Sequence, residues 1–475
     1  MSYSAQIKEY IYAHRAQLLE MLGTLVNIPS VKGAAENGAP FGAEPRRALD
    51  KMAEYCERAG FSTEITANAV GSADLTAGEE AALGILCHLD VVPAEPSAWE
   101  SDPFTLSERG GVLFGRGVID DKGPAAAAFL AMQCVKELGV PLKKGVRLIF
   151  GTDEENGSED LELYLREKKL PPMVFTPDGE FPVINIEKGM MRSRFGRDFS
   201  GACAVVELRG GSVPNAVPDK AHAVLEGVSA AAVDEAASAL ALPVRFTAAE
   251  EGGVTRVFCE GSAAHASTPA LGKNALTALV ALLCRVVTDG EQAQTLRGLA
   301  EAFPFGETDG AHVGLGCADS ESGALTCVFS VFKMDRKGCE GTVDVRFPVS
   351  KRLAWVEQTE RQAFGRFGCE FLGFMGDEPH RVDENSEFVQ SLLRVYERVE
   401  GEKGCCIAIG GGTYVHNVEG GVAFGAERRE KPYNKERPDE GKTDYHMHGA
   451  DEWVTLDELL RDAVLFAEVI AEICG

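Results

Sequence analysis

Apolar residues fall into short unbroken runs and longer periodic stretches that alternate along the chain. Ile7, Ile11, Leu18, Leu19, Leu22 and Val26 recur at near-helical spacing, and Asn27-Ile28-Pro29 ends the stretch, so the pattern predicts one opening helix. Residues 81–88, AALGILCH, form a short apolar run that ends in polar residues, as a buried strand does. Gly123-Pro124 then opens AAAAFLAMQCVKELG, a helix with Pro in its first turn and Gly139 at its end. GVRLIFG at 145–151 reads as a second buried strand and MVFTPDG at 173–179 as a third. Strand and helix in alternation predict an α/β fold: a mostly parallel sheet with helices on both faces. Polar residues follow each of these strands, where open α/β sheets place their ligands.

From about Ile184 to Glu384 the texture changes. Short β-like runs (RSRFG, AVVELRG, TRVFCEG, GTVDVRFP) alternate with Ala-rich helical stretches at 229–241 and 273–288. The pattern predicts an inserted α+β domain over 185–384 within a discontinuous first domain, 1–184 and 385–475. The last part carries a helix over 385–400, a Gly-rich apolar stretch at 405–425, and a charged loop at 427–444 with Lys or Arg at 428, 429, 431, 435, 437 and 442. A final helix begins at Thr455, which pairs with Glu458 in a capping-box pattern, and Leu459, Leu460, Ala463, Val464, Ala467, Ile470 and Ile473 line its apolar face.

Composition narrows the classes. The 475 residues are 45% hydrophobic and 25% charged, which excludes a mostly disordered chain, a coiled coil and a collagen-like repeat. Forty-seven Lys and Arg stand against 73 Asp and Glu, a formal net charge of −26. Nucleic acid and anionic membrane both call for a basic surface, so neither is expected as a partner. No apolar run reaches transmembrane length, and Met1 to Glu20 lacks the apolar core and cleavage site of a signal peptide. Thirteen cysteines without a C-x-x-C pair read as reduced, buried thiols of a cytoplasmic protein.

The chain lacks G-x-S-x-G, H-E-x-x-H, a phosphate-binding lysine loop, and a G-x-G-x-x-G after a strand. It carries instead a series of acids and histidines beside apolar runs. His88-Leu89-Asp90 ends the first run, and Asp120-Asp121 precedes the Ala-rich helix. Asp153-Glu154-Glu155 ends the second run, Asp178 the third, and His446-Met447-His448 comes before the last helix. Singly, each is an ordinary cap or surface residue. Together, converging carboxylates would repel unless cations lay among them. Imidazole with carboxylate and no thiolate motif suits zinc, manganese or cobalt in a hydrolytic site.

These residues sit in motifs that resemble the M20 metallopeptidases, and within them the bacterial PepV-like dipeptidases. The motifs are HLDVVP at 88–93, GRGVIDDKGP at 115–124, GTDEENGSED at 151–160, TPDGEFPV at 176–183 and HMHGADE at 446–452. Others are GGSVPNAVPDKA at 210–221, GSAAHASTP at 261–269, DVRFP at 344–348 and GGGTY at 410–414. They run in order across nearly the whole chain.

The resemblance implies two zinc-type ions, with manganese or cobalt as substitutes. His88 and Asp178 would hold one, Glu155 and His448 the other, and Asp120 would bridge them across a cis Asp120–Asp121 bond. His448 fits the family's pattern of His, two residues, Asp or Asn, then Glu, which leaves His446 as a polar neighbour. Asp90 would hydrogen-bond His88 and fix its tautomer. Glu154 would be the general base and His265 the oxyanion donor. Asn215 would hold the substrate, Arg346 its terminal carboxylate, and Gly411, Gly412 and Thr413 would add nearby contacts. His222 reads as structural.

One departure stands out: Val415-His416 follows GGGTY where the family often has a small residue and then Arg. With the charged loop, it is expected on the substrate side. The implied activity is a monomeric dipeptidase acting on peptides with a free amino terminus, the large insert taking the place of a dimer partner. An N-acyl-amino-acid amidohydrolase or desuccinylase of the same superfamily is the alternative, and a catalytically dead scaffold is set aside because all five ligand positions and Glu154 are present.

Overall fold

Alternate residues of the central strands enter two different cores. In Ala81–His88, Leu83, Ile85 and Cys87 join one cluster and Leu86 the other; in Gly145–Gly151, Leu148 and Phe150 join the first and Ile149 the second. A strand buried on both faces carries an unbroken apolar run, which is why these two read so plainly in the sequence. The computed structural model describes residues 3–75, 80–201, 203–433 and 440–475. It divides into two compact units, one of residues 1–185, 381–407 and 412–475, the other of residues 186–380 and 408–411.

The first unit is α/β. Its sheet runs Ser62–Thr66, Val70–Asp74, Gly145–Gly151, Ala81–His88, Met173–Thr176, Val422–Ala423, Val183–Glu187. The middle is parallel, where Ala81–His88 pairs with Gly145–Gly151 on one side and Met173–Thr176 on the other. The flanks are antiparallel, so the sheet is mixed. Helix Lys122–Glu137 is buried almost all round and packs on Leu456–Cys474. A helix apolar on every side has to be internal. The opening stretch is two helices, Tyr3–Ala13 and Arg15–Val26. His14 breaks it: its ring stacks on Tyr10 at 3.9 Å and its Nδ1 lies 2.8 Å from the Tyr10 carbonyl. Thr455 and Glu458 form the capping box that their spacing predicts.

The second unit is α+β. An eight-stranded antiparallel sheet runs Arg245–Glu251, Val254–Glu260, Lys220–Glu226, Val205–Gly210, Thr326–Asp335, Gly338–Phe347, Gly189–Asp198, Glu370–Asp377. Helices Ala275–Val286, Gly290–Ala302 and Leu353–Arg366 share its core with Phe195, Phe329, Phe332 and Val343. The sequence places the return to the first domain at 385; the structure places it at 381. Val382 N–H donates to the Asn185 carbonyl and Asn185 Nδ2 to the Val382 carbonyl, which draws this stretch into the first unit.

Candidate metal centre

The parallel strands end together, and the first unit's acids and histidines collect at those ends. His88 is the last residue of its strand and is fully buried. Its Nδ1 donates to the backbone carbonyl of Asp90 at 3.1 Å, with an Asp90 carboxylate oxygen farther away at 3.6 Å. The backbone, rather than the Asp90 side chain, makes the closer contact with that ring nitrogen. The Asp90 carboxylate instead accepts from Glu154 N–H and Glu155 N–H, each at 3.1 Å, and so holds the turn that presents those two acids.

His88 Nε2 then faces Asp120 Oδ1 at 3.0 Å and Asp178 Oδ2 at 3.6 Å. On the other side, His448 Nε2 lies 2.9 Å from Asp120 Oδ2 and 3.2 Å from Glu155 Oε2. Ligand atoms thus form two groups, His88–Asp120–Asp178 and Asp120–Glu155–His448, each spanning no more than 4.8 Å. Asp120 belongs to both, with one oxygen to each. The Asp120–Asp121 peptide is cis. Asp121 Oδ2 accepts the His88 N–H at 3.0 Å.

The donor chemistry fits cations. With Nδ1 donating to a carbonyl, His88 turns the lone pair of Nε2, a buried atom without a hydrogen bond, toward two carboxylates. That contact is repulsive unless a positive charge, a second ring proton or a metal ion, lies there. In the metal-free chain burial lowers His88, but Asp120, Asp178 and Asp90 outweigh it and hold its imidazolium well up. Burial pushes the Glu155 carboxyl up to about 7, with Asp120 adding to it. Glu154 is pushed well up by burial and by Asp178, Glu155 and Asp120. The contacts with Asp120 and Glu155 hold the His448 imidazolium up to about 11. Burial raises Asp120, but His448 and His88 outweigh it and hold this carboxyl well below the usual range. Zinc, manganese and cobalt all accept such imidazole–carboxylate sets.

The remaining predicted residues divide between the units. Gly412 and Thr413 are in the first; Asn215, His265, Arg346 and Gly411 are in the second. His265 is exposed, and its Nδ1 is addressed by Ser267 Oγ at 2.7 Å and by Ser267 N–H at 3.3 Å. A ring nitrogen that accepts a backbone N–H carries no proton, so the proton sits on Nε2. Asn215 accepts the Ala266 N–H through its carbonyl, beside His265. Buried Arg346 donates from Nε and Nη2 to Asp344 at 2.6 and 3.2 Å and from Nη1 to the Gly410 carbonyl at 3.0 Å. Three of its five N–H groups are so engaged among the described residues. His446 is exposed and belongs to neither ligand group; His222 stacks obliquely on Phe258.

The two residues of the departure from the family motif take different places. Val415 is fully buried in the core with Phe41, Leu86 and Ile149. His416 lies against Gly412, 3.4 Å from where a Cβ would stand. The charged loop is tied down: Arg428 pairs with Asp462 at 2.7 Å and with Glu400, and Arg429 and Lys442 both pair with Glu180. Its Lys435 and Arg437 lie outside the described residues.

A mixed α/β sheet that gathers two histidine–carboxylate groups around one aspartate is the framework of a metal-dependent hydrolase. Residues 84–472 match Peptidase family M20/M25/M40, and the chain belongs to that family. It is 34% identical to "Putative dipeptidase YtjP" of Bacillus subtilis over 92% of both chains, and 33% identical to "Beta-Ala-Xaa dipeptidase" of Lactobacillus delbrueckii subsp. lactis over 98% of both. Human carnosine dipeptidase 1 shares the fold with a TM-score of 0.60 at 16% identity, over 99% of each chain. The protein is an M20 family peptidase.

Several residues that build the site carry no role in the sequence reading. Asp160 accepts from Thr152 and Asp153 N–H and from the Tyr414 hydroxyl at 2.6 Å, fixing the start of the Glu154 turn. Gly151 lets Tyr414 come that close, since a Cβ there would stand 1.7 Å from its hydroxyl. Lys122 is buried and donates to the Ile28 carbonyl at 2.7 Å. All four residues lie inside the quoted motifs, but a motif does not say which of its acids ligates and which shapes a turn.

Proposed function

We propose that the protein is a two-metal dipeptidase that cleaves peptides with a free amino terminus. The observation that carries this reading is Asp120: one carboxylate with each oxygen about 3 Å from a different histidine, as a bridging ligand requires. His88 and Asp178 would hold one ion, Glu155 and His448 the other, with zinc the first choice and manganese or cobalt able to substitute. Bound there, the ions would acidify a water and polarise the scissile carbonyl.

The chain's own residues supply the rest. Glu154 takes the proton of the attacking water and returns it to the leaving amine. His265 donates from Nε2 to the oxygen that gains charge as the carbonyl carbon becomes tetrahedral. Arg346 takes the substrate's terminal carboxylate, and Asn215, Gly411, Gly412 and Thr413 are assigned as further contacts.

A free ammonium suits the other end of the substrate. Glu427 is half-buried, and burial with the charges of Asp178 and Asp120 pushes its carboxyl up to about 7 against the opposing Lys442. A substrate cation would relieve that crowding of acids, whereas a neutral acyl group would not. All thirteen cysteines are free thiols, which supports a reducing, cytoplasmic setting. No described helix is long and apolar enough to cross a membrane. The size of the inserted unit supports a monomer, which sedimentation would check.

Native mass spectrometry of the zinc-loaded protein tests the centre. Two ions per wild-type chain and none retained by Asp120→Ala is the expected result. One ion or none in the wild type contradicts a bridged pair.

A further inference from the structure

Glu452 is fully buried. Its Oε1 accepts from Gly117 N–H at 3.0 Å, Ile119 N–H at 3.1 Å and Asp120 N–H at 3.4 Å. Its Oε2 accepts from Arg116 Nη1 at 2.7 Å. The chain from 116 to 120 therefore curls around one carboxylate, as successive backbone N–H groups do around a bound anion. The last of those N–H groups belongs to Asp120 itself.

The same ion pair reaches the other side of the centre. Arg116 Nη2 donates to the Gly449 carbonyl at 2.8 Å, one residue beyond His448. That loop is strained, with His446, His448 and Asp451 at φ of 54°, 59° and 54°, the left-handed region that side chains other than glycine disfavour. Something has to hold it. Glu452 ends the loop, its carbonyl accepts Gly115 N–H at 3.1 Å, and Trp453–Thr455 then pairs with Val112–Phe114. Ligands far apart in sequence, Asp120 and His448, are thus joined through one buried Glu–Arg pair.

We infer that Glu452 and Arg116 are positioning residues of the metal centre: Glu452 sets the bridging carboxylate, and Arg116 locks the His448 loop to it. Neither is a metal ligand, since neither falls in the two ligand groups. The inference rests on the two-metal reading. It predicts that weakening the pair loosens the ions before it unfolds the chain, because residues that orient ligands are typically worth 10- to 100-fold in metal affinity.

The test measures zinc affinity by competition with a chromogenic chelator, alongside thermal melting of the metal-free protein. Glu452→Gln keeps the volume but offers an amide where a carboxylate took four donors, and zinc affinity should fall about 10- to 100-fold. Arg116→Lys keeps the cation and loses the fork that spans Glu452 and Gly449. It should speed release of one ion about tenfold or more, leave the other closer to wild type, and recover turnover at saturating zinc. A lowered melting temperature with wild-type zinc affinity in both variants overturns the inference. If Glu452→Gln does not fold, Arg116→Lys decides alone, wild-type release of both ions counting against the inference. A wild-type chain that fails to bind two ions instead removes the metal reading beneath it.

Discussion

At Glu154 the backbone and the side chain are held by different means. The N–H is anchored on Asp90 Oδ1, while the carboxyl stands among Asp178, Glu155 and Asp120. Glu154→Gln should therefore keep the turn and both ions but remove the proton acceptor. Turnover is expected to fall by roughly 10²–10⁴-fold, the span of general acid–base catalysis, with metal content by mass spectrometry unchanged. His265→Ala should lower kcat by about 10²–10³-fold with a much smaller change in KM, as for a contact made in the transition state; unchanged kcat in steady-state assays would remove it from the reaction. At this scale the candidate ligands stand out in the sequence, because His88, Asp178 and Glu155 each follow a recognisable apolar run, and the structure brings them into two groups with Asp120 and His448. The division of labour does not stand out in the sequence. Asp90 carries its carboxylate to the Glu154 turn, and Val415 turns into the core, both through contacts made by residues distant in sequence.

Among the elements, the last helix and the two central strands follow directly from pattern, since burial on both faces or an amphipathic stripe writes itself into composition. Thr455→Ala should remove the capping box of Leu456–Cys474 and cost about 1 kcal/mol, read from the urea midpoint. The break at His14 was not legible, as it rests on a ring stack within an otherwise helical pattern. Helix Leu353–Arg366 poses a different case. Its Glu360 is 1% exposed, both carboxyl oxygens lack a hydrogen bond, and the Ser193 hydroxyl and Asp344 are the polar groups bearing on it. Burial raises its carboxyl from 4.5 to about 8. Because the folded value is raised, the fold holds a proton that the unfolded chain gives up. Stability contributed by the neutral acid is complete below about pH 4.5 and declines as pH rises toward 8, where the folded group also ionises. Glu360→Gln should flatten that decline, worth on the order of a few kcal/mol, in denaturation curves taken between those limits. An unchanged slope would mean the group is solvated in the fold.

Over the whole molecule, the formal charge is −26, and many of the arginines that are present are spent on carboxylates, as Arg428 is on Asp462 and Glu400. The excess of acid has one local use, the crowded carboxylates around Asp120, which divalent cations would relieve. Chelation should therefore abolish activity, and added zinc, manganese or cobalt should restore it. The change of texture near residue 184 is what suggests a second unit in the sequence, and the chain divides into two compact units. The pair of hydrogen bonds between Asn185 and Val382, which joins residue 382 to the first unit, leaves no mark on composition. The most direct test of the account is one hydrolysis assay, read by mass spectrometry, of leucyl-glycine and N-acetyl-leucine before chelation, after it, and after zinc is returned. The account predicts that only the free dipeptide is cleaved, and only with metal present. Cleavage of the acylated compound alone, or cleavage that survives chelation, would contradict it.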